Sequence, residues 1–82
     1  MDKIVIKLLT APGCSLCKQS YFILNKIKHK FGVRIYIVDV TKSIEYQQHR
    51  KNIPVVLVNE EVVSEMKTNE AKIRIAIEKM LK

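Results

Sequence analysis

Cys14 and Cys17 are the only cysteines in the chain, separated by Ser15-Leu16. Two thiols at this spacing can close a small disulfide and reopen it. They follow an apolar, strand-like run and open a helix-like one, so Cys14 falls at a helix N-cap or first turn. Unpaired backbone N–H groups and the positive end of the helix dipole meet its sulfur there. Both favour thiolate over thiol, and comparable sites hold the thiol pKa at roughly 3.5–7.5 against about 8.5 for a free cysteine. Lys18, one turn along, is placed to tune that pKa further. This makes Cys14 the expected exposed nucleophile and Cys17 the more buried resolving thiol. In the expected cycle Cys14 attacks a substrate disulfide, and Cys17 then attacks Cys14 and frees the reduced substrate. The blander reading is two small apolar side chains filling core or forming a static crosslink. The spacing, the helix start and the preceding strand all weigh against it.

No metal site is expected within one chain. Structural zinc takes four ligands, and one C-x-x-C supplies two. His29 and His49 are the only histidines; they are too far apart for a finger-like pair and read as solvated. A metal or cluster bridging two copies through Cys14 and Cys17 is the remaining metal arrangement. Asp39, the only acidic residue of its strand, reads either as a strand end near the surface or as a buried proton acceptor for Cys17. Tyr21 and Phe22 read as core packing on the first helix, and Met66 and Met80 as packing residues. The face that Lys7 occupies is left open.

With 82 residues, 48% of them hydrophobic and only two Gly and two Pro, the chain reads as a single folded domain, 1–82. The formal net charge is +7. Lys26, Lys28, His29, Lys30 and Arg34 gather near one helix end, where they also favour its dipole. A basic surface suits acidic partners or anionic small molecules. Lysines spread over every segment and few aromatics for stacking argue against nucleic acid. Lys3 and Lys7 interrupt Met1 to Leu9, so no signal peptide is read there. No apolar run approaches the ~18 residues of a membrane helix. A cytoplasmic, monomeric protein with no membrane partner is therefore expected. In that compartment an isolated disulfide is more often catalytic than structural.

The elements that must position the cysteines follow from periodicity. Residues 4–9 (Ile-Val-Ile-Lys-Leu-Leu) form a buried strand, broken by Thr10-Ala11-Pro12-Gly13. An amphipathic helix runs from Ser15 to about Lys30, with Gly32 as its stop. Residues 33–40 form a second strand. Thr41 or Ser43 caps a short helix over 43–51. Pro54 stands at a position where a strand tolerates proline, and strands over 55–58 and 62–65 make a hairpin around Asn59-Glu60-Glu61. Thr68 or Asn69 caps a last helix carrying Ile73, Ala76, Ile77, Met80 and Leu81. The order β-α-β-α-β-β-α predicts an α/β fold, a four-stranded mixed sheet with helices on both faces.

Thr10-Ala11-Pro12-Gly13-Cys14-Ser15-Leu16-Cys17 between strand and helix, then Asn52-Ile53-Pro54-Val55-Val56 before a hairpin and a last helix, resembles the thioredoxin superfamily. The likeness is to its small glutaredoxin-like proteins and spans essentially the whole chain. It implies a thioredoxin/glutaredoxin-like three-layer sandwich and a disulfide oxidoreductase with Cys14 attacking and Cys17 resolving. It implies that Pro54 is a cis proline facing Cys14. The Ile53 backbone would then bind an extended substrate or glutathione as an added strand. Pro12 and Gly13 complete the implied substrate-binding set. Glutaredoxins that use glutathione commonly have a Lys three before the first Cys, where this chain has Ala11. They also carry a Gly-Gly turn followed by Asp residues, where this chain reads Val63-Ser64-Glu65-Met66-Lys67-Thr68-Asn69-Glu70. The aromatic residue and the Gly-Pro pair of thioredoxin proper are replaced by Gly13 and Ser15-Leu16. The expected substrates are protein or small-molecule disulfides, with no bound cofactor. The expected reductant is glutathione or a thioredoxin-reductase-type donor. The alternative is a redox-inactive binding module of the same fold for peptide, bridged metal or nucleic acid.

Overall fold

The structure is a computed structural model that describes residues 4–81. Met1 to Lys3, part of the stretch read above as too charged for a signal peptide, lie outside the described residues, as does Lys82. In chain order the elements are β1 (Val5–Thr10), α1 (Ser15–Phe31), β2 (Arg34–Asp39), a 3₁₀ helix (Ile44–Asn52), β3 (Val55–Val58), β4 (Glu61–Ser64) and α2 (Glu70–Leu81). They build one mixed four-stranded sheet in the order β2-β1-β3-β4. The β1–β2 pair is parallel, and β1–β3 and β3–β4 are antiparallel. Because Leu9 pairs with Val55, the chain leaving β1 and the chain entering β3 meet at one end of the sheet. The Ala11–Cys14 turn and Ile53-Pro54 therefore share that end.

Side-chain alternation along the central strands splits the core into two layers. Ile4, Ile6 and Leu8 with Val56 and Val58 face Leu24 and Ile27 of α1 and Ile73 and Ile77 of α2. Leu9, Val55 and Leu57 face the other way, against Val40 and Tyr46. β3 is buried along its whole length, which is why Val55-Val56-Leu57-Val58 shows no polar alternation. The two α-helices share one face and the 3₁₀ helix covers the other. Each fully buried Leu, Ile or Val contributes on the order of 1.5–3 kcal/mol. At the end of α1, Gly32 adopts φ 66° and its N–H donates to the Lys28 carbonyl at 2.8 Å. That left-handed position favours glycine. Asn69 caps α2 by accepting the Lys72 N–H on Oδ1 at 3.1 Å, so of the two candidate caps it is Asn69 that serves.

Four expectations are corrected. The second helix is 3₁₀, and Ser43 sits at its N-cap position without a side-chain bond; with Tyr46 its one buried residue, it has no apolar stripe to hold an α-helix down. Tyr21 and Phe22 are not core: they are 45% and 67% exposed. The buried stripe of α1 is Cys17, Ser20, Leu24 and Ile27; Phe22 lies about 200° round the helix from Leu24, and Tyr21 about 60° to its flank. Met66 and Met80 are exposed rather than packed, Met66 because it lies in a loop and Met80 because it lies on the rim of α2. The hairpin turn is two residues, Asn59-Glu60, since Val58 already pairs with Glu61.

That turn has φ 49° at Asn59 and φ 70° at Glu60, a primed hairpin turn in which the second place favours glycine. Glu60 is held there by a long-range contact. Its carboxylate accepts hydrogen bonds from Lys7 Nζ and from the Tyr46 hydroxyl, the latter at 2.9 Å. Lys7 also donates to Tyr46 Oη at 2.7 Å. So Lys7 lies on the 3₁₀ face, tying β1, the 3₁₀ helix and the hairpin together. The bonds from Lys7, then Tyr46, hold the Glu60 carboxyl below its ordinary pKa. The bonds to Glu60, then Tyr46, hold the Lys7 ammonium above its own. The Lys7 bond pulls the Tyr46 phenol down, but burial and the Glu60 carboxylate outweigh it and leave it raised. A depressed acid stabilises the fold above its unfolded pKa of about 4.3 and loses that contribution as pH falls through the folded value. A raised lysine contributes fully below about 10.4 and loses its contribution above the folded value. Urea unfolding of Glu60→Gln at pH 3 and pH 6 should therefore show a shallower acid loss than the parent. The difference should be ~0.2–1 kcal/mol, since the pair is part-exposed to solvent.

Candidate active site

The turn into α1 is built by Pro12 and Gly13. Gly13 has φ 83°, and the Cys14 N–H donates to the Ala11 carbonyl at 3.3 Å. Proline followed by a residue at positive φ is the type II pattern, which requires glycine at that place. The turn delivers Cys14 to the N-cap of α1 in extended conformation, φ −84° and ψ 103°. One turn of helix then brings Cys17 back beneath it. Cys14 and Cys17 are joined as a disulfide with Cα atoms 5.4 Å apart. Cys14 is part-exposed and Cys17 is 8% exposed. Ser15 and Leu16 between them are exposed. No acidic residue occupies the first turn of α1, so nothing there opposes negative charge on sulfur.

The Ile53-Pro54 peptide bond is cis. Ile53 ends the 3₁₀ helix in extended conformation, φ −67° and ψ 148°, as a residue before proline must. Its side chain packs with that of Ala11 on the Leu9, Val55 and Tyr46 cluster, and Pro54 is buried. Pro12, Gly13, Cys14, Cys17, Ile53 and Pro54 are thus gathered at one sheet end. Lys18 is exposed and lines a groove of about 350 Å³ with Cys17, Leu8, Thr10, Tyr21 and Ile37 among others. Sequence reasoning missed this groove, because it forms only where the flank of α1 meets β2; Lys18, Tyr21 and Phe22 side by side were the available signal.

Asp39 ends β2, where it accepts the Thr41 N–H at 2.9 Å and the Thr41 hydroxyl at 2.6 Å. The hydroxyl and then the amide of Thr41 hold its carboxyl below the usual range. Among the described residues no hydrogen bond joins Asp39 to Cys17. The loop before α2, where glutaredoxins commonly carry Gly-Gly, puts Met66 at φ 62°. Its N–H donates to the Asn52 carbonyl at 2.8 Å. Ser64 pins the same loop: its hydroxyl donates to the Lys67 carbonyl at 3.2 Å and accepts the Asn69 N–H at 3.1 Å. The hydroxyls of Thr68 and Ser20 pair, joining this loop to the cysteine-bearing helix. Among the described residues, no group of three or more His, Cys, Asp or Glu is placed to hold a metal ion.

Residues 5–78 match the family described as a Glutaredoxin-like domain (DUF836). The chain belongs to this family. No curated protein is significantly similar to this glutaredoxin-like domain. Solved structures share its fold. A Staphylococcus aureus protein of unknown function superposes with TM-score 0.75 at 17% identity, over 99% of this chain and 94% of that one. Schistosoma mansoni thioredoxin superposes with TM-score 0.71 at 24% identity, over 95% and 79%. Mitochondrial thioredoxin 3 of Saccharomyces cerevisiae does so with TM-score 0.70 at 16% identity, over 96% and 80%. These likenesses show that the glutaredoxin-like domain has the thioredoxin fold. The C-x-x-C pair on this fold suggests redox function. Among the described residues no helix is long and apolar enough to cross a membrane.

Proposed function

We propose that this glutaredoxin-like domain is a dithiol–disulfide oxidoreductase that reduces protein or small-molecule disulfides. The observation that carries the proposal is the cysteine pair at the start of α1, with Cys14 part-exposed at the N-cap and Cys17 buried. In the reduced protein the free N–H groups and dipole of α1 stabilise negative charge on Cys14 Sγ. The Cys14 thiolate attacks one sulfur of the substrate disulfide. A mixed disulfide forms, and the other substrate sulfur leaves as a thiolate and takes a proton from water. Cys17 loses its proton and attacks Cys14 Sγ, closing the Cys14–Cys17 disulfide and releasing the second substrate thiol. Two electrons pass from the dithiol to the substrate. Glutathione or a thioredoxin-reductase-type donor returns them, with no cofactor bound to the domain. Pro12, Gly13, Ile53 and Pro54 frame the sulfur and present backbone to the substrate. Lys18 adds positive charge to the start of the helix. The domain acts as a monomer in the cytoplasm.

Titration across a dithiol redox buffer series, with free thiols counted by alkylation mass shift, tests this. The expected result is one two-electron transition between roughly −200 and −270 mV, the glutaredoxin–thioredoxin range. No reversible disulfide at any potential would sink the oxidoreductase reading and leave a binding module.

A further inference from the structure

The cysteine pair adjoins a surface that the exchange chemistry leaves unused. Among the described residues β2 is an edge strand with β1 on one side only. The amides of Arg34 and Val40 point toward β1, donating to the Ile4 and Thr10 carbonyls at 3.1 and 2.9 Å. Backbone groups alternate along a strand, so those of Ile35 and Ile37 point outward, free to pair. Edge strands in this condition commonly carry charges or cover. Here the middle of the edge is Tyr36 and Ile37, the latter 55% exposed.

Two grooves run along this edge beside α1. The first is the one that reaches Cys17. The second, about 280 Å³, is lined by Asn25, Lys28 and Tyr36 as well as Tyr21 and Ile37. Tyr21 and Ile37 line both, which makes the two continuous. Among the described residues their only charged lining residues are Lys18 and Lys28, and Arg34 stands exposed at the end of the strand away from the cysteines. The one acidic residue of β2, Asp39, pairs with Thr10 at the cysteine end of the strand, where its carboxylate is engaged by Thr41. The surface is therefore apolar in its floor, cationic at its rim and equipped with unpaired strand amides.

We propose that the β2 edge and the adjoining α1 grooves dock an extended, acidic polypeptide segment as an added strand. A large apolar side chain of that segment would enter the groove beside Cys17, and its carboxylates would meet Lys18 and Lys28. The unpaired amides and carbonyls select a polypeptide over a polynucleotide, which has no backbone to complete a sheet. The rim selects against a second copy, since two chains of formal charge +7 would bring like charges together. Such docking holds a partner chain next to the disulfide on the side away from β3 and Ile53-Pro54. That the partner is a substrate rests on the oxidoreductase reading; the docking itself does not.

Fluorescence polarisation on the oxidised protein, without reductant, tests the docking separately from exchange. The probe is a short labelled peptide alternating Glu with Val and Phe. It should bind saturably, and more weakly as salt rises from about 50 to 300 mM. Replacing its Glu by Lys, or methylating alternate backbone nitrogens, should each weaken binding at least about tenfold. Phe22→Glu and Ile37→Asp, both at exposed positions, should do the same while leaving the far-UV spectrum unchanged. Equal binding of the Glu and Lys peptides, or of the methylated one, would overturn the proposal. So would displacement of the probe by a single-stranded oligonucleotide, or a dimer in sedimentation that Ile37→Asp dissolves. A protein that binds the peptide but shows no reversible disulfide would sink only the oxidoreductase reading.

Discussion

Cys14→Ser is expected to abolish disulfide reduction, and Cys17→Ser to stop it half-way. The two cysteines are three residues apart and share one turn of α1, yet they meet different surroundings. Cys14 lies at the N-cap, part-exposed, with no acidic residue in the first helical turn. Cys17 is one turn inside, buried beside Leu8 and Ala11. Cys14 is the more open of the two to a sulfur arriving from solvent, and it is the one whose negative charge the helix end favours. Serine keeps the size of the side chain and removes the nucleophile, so a loss of at least about a thousandfold in turnover is expected for Cys14→Ser. Cys17→Ser leaves the attack intact and removes the resolving step. Mixed with a disulfide substrate, it should accumulate a covalent adduct that mass spectrometry weighs and dithiothreitol releases. Each serine variant keeps one thiol, so each is its own control for the labelling. An adduct on Cys17 in the Cys14→Ser protein would reverse the roles.

The parts of this site written in local sequence were legible, and those made by long-range contact were not. Pro12-Gly13 before Cys14 spells a turn, and Ser15 to about Lys30 spells an amphipathic helix, so the placement of the cysteines at a helix start followed from neighbours in the chain. The cis bond before Pro54 followed from family resemblance; locally Pro54 reads only as a proline at a strand start. The Lys7–Glu60 contact, which settles the face of β1 that Lys7 occupies, joins residues far apart in sequence and leaves no local mark. Neither does the left-handed Glu60, where the expected glycine is absent and the tertiary bonds hold the turn instead. The 3₁₀ helix had a cap candidate and good helix formers, but it has one buried side chain. Propensity without an apolar face does not decide the helix type.

The same limit governs α1, and it sets up the second large effect. Its apolar residues form a broad face, and the sequence alone reads Tyr21 and Phe22 as part of the core-packing side. The fold chooses the stripe through Cys17, Ser20, Leu24 and Ile27, because that arc meets Ile6 and Leu8 of β1 and Ile73 and Ile77 of α2. Leu24 is 0% exposed at the centre of this contact and Phe22, two residues away, is 67% exposed. Leu24→Ala should therefore cost ~2.7–5 kcal/mol, the transfer free energy plus the cavity left among β-branched neighbours that cannot collapse into it. A chain of 82 residues has a total stability of only about 4–12 kcal/mol, so the loss is a large share of the whole. The unfolding midpoint should fall by more than about 10 °C, given ~4–8 °C per kcal/mol in a domain of this size. Phe22→Ala removes a larger side chain and should change stability by less than about 0.5 kcal/mol. The pair of midpoints by calorimetry decides which of the two side chains belongs to the core. Equal losses would put Phe22 in the core, and a phenylalanine committed to the core cannot also line a docking groove beside Cys17.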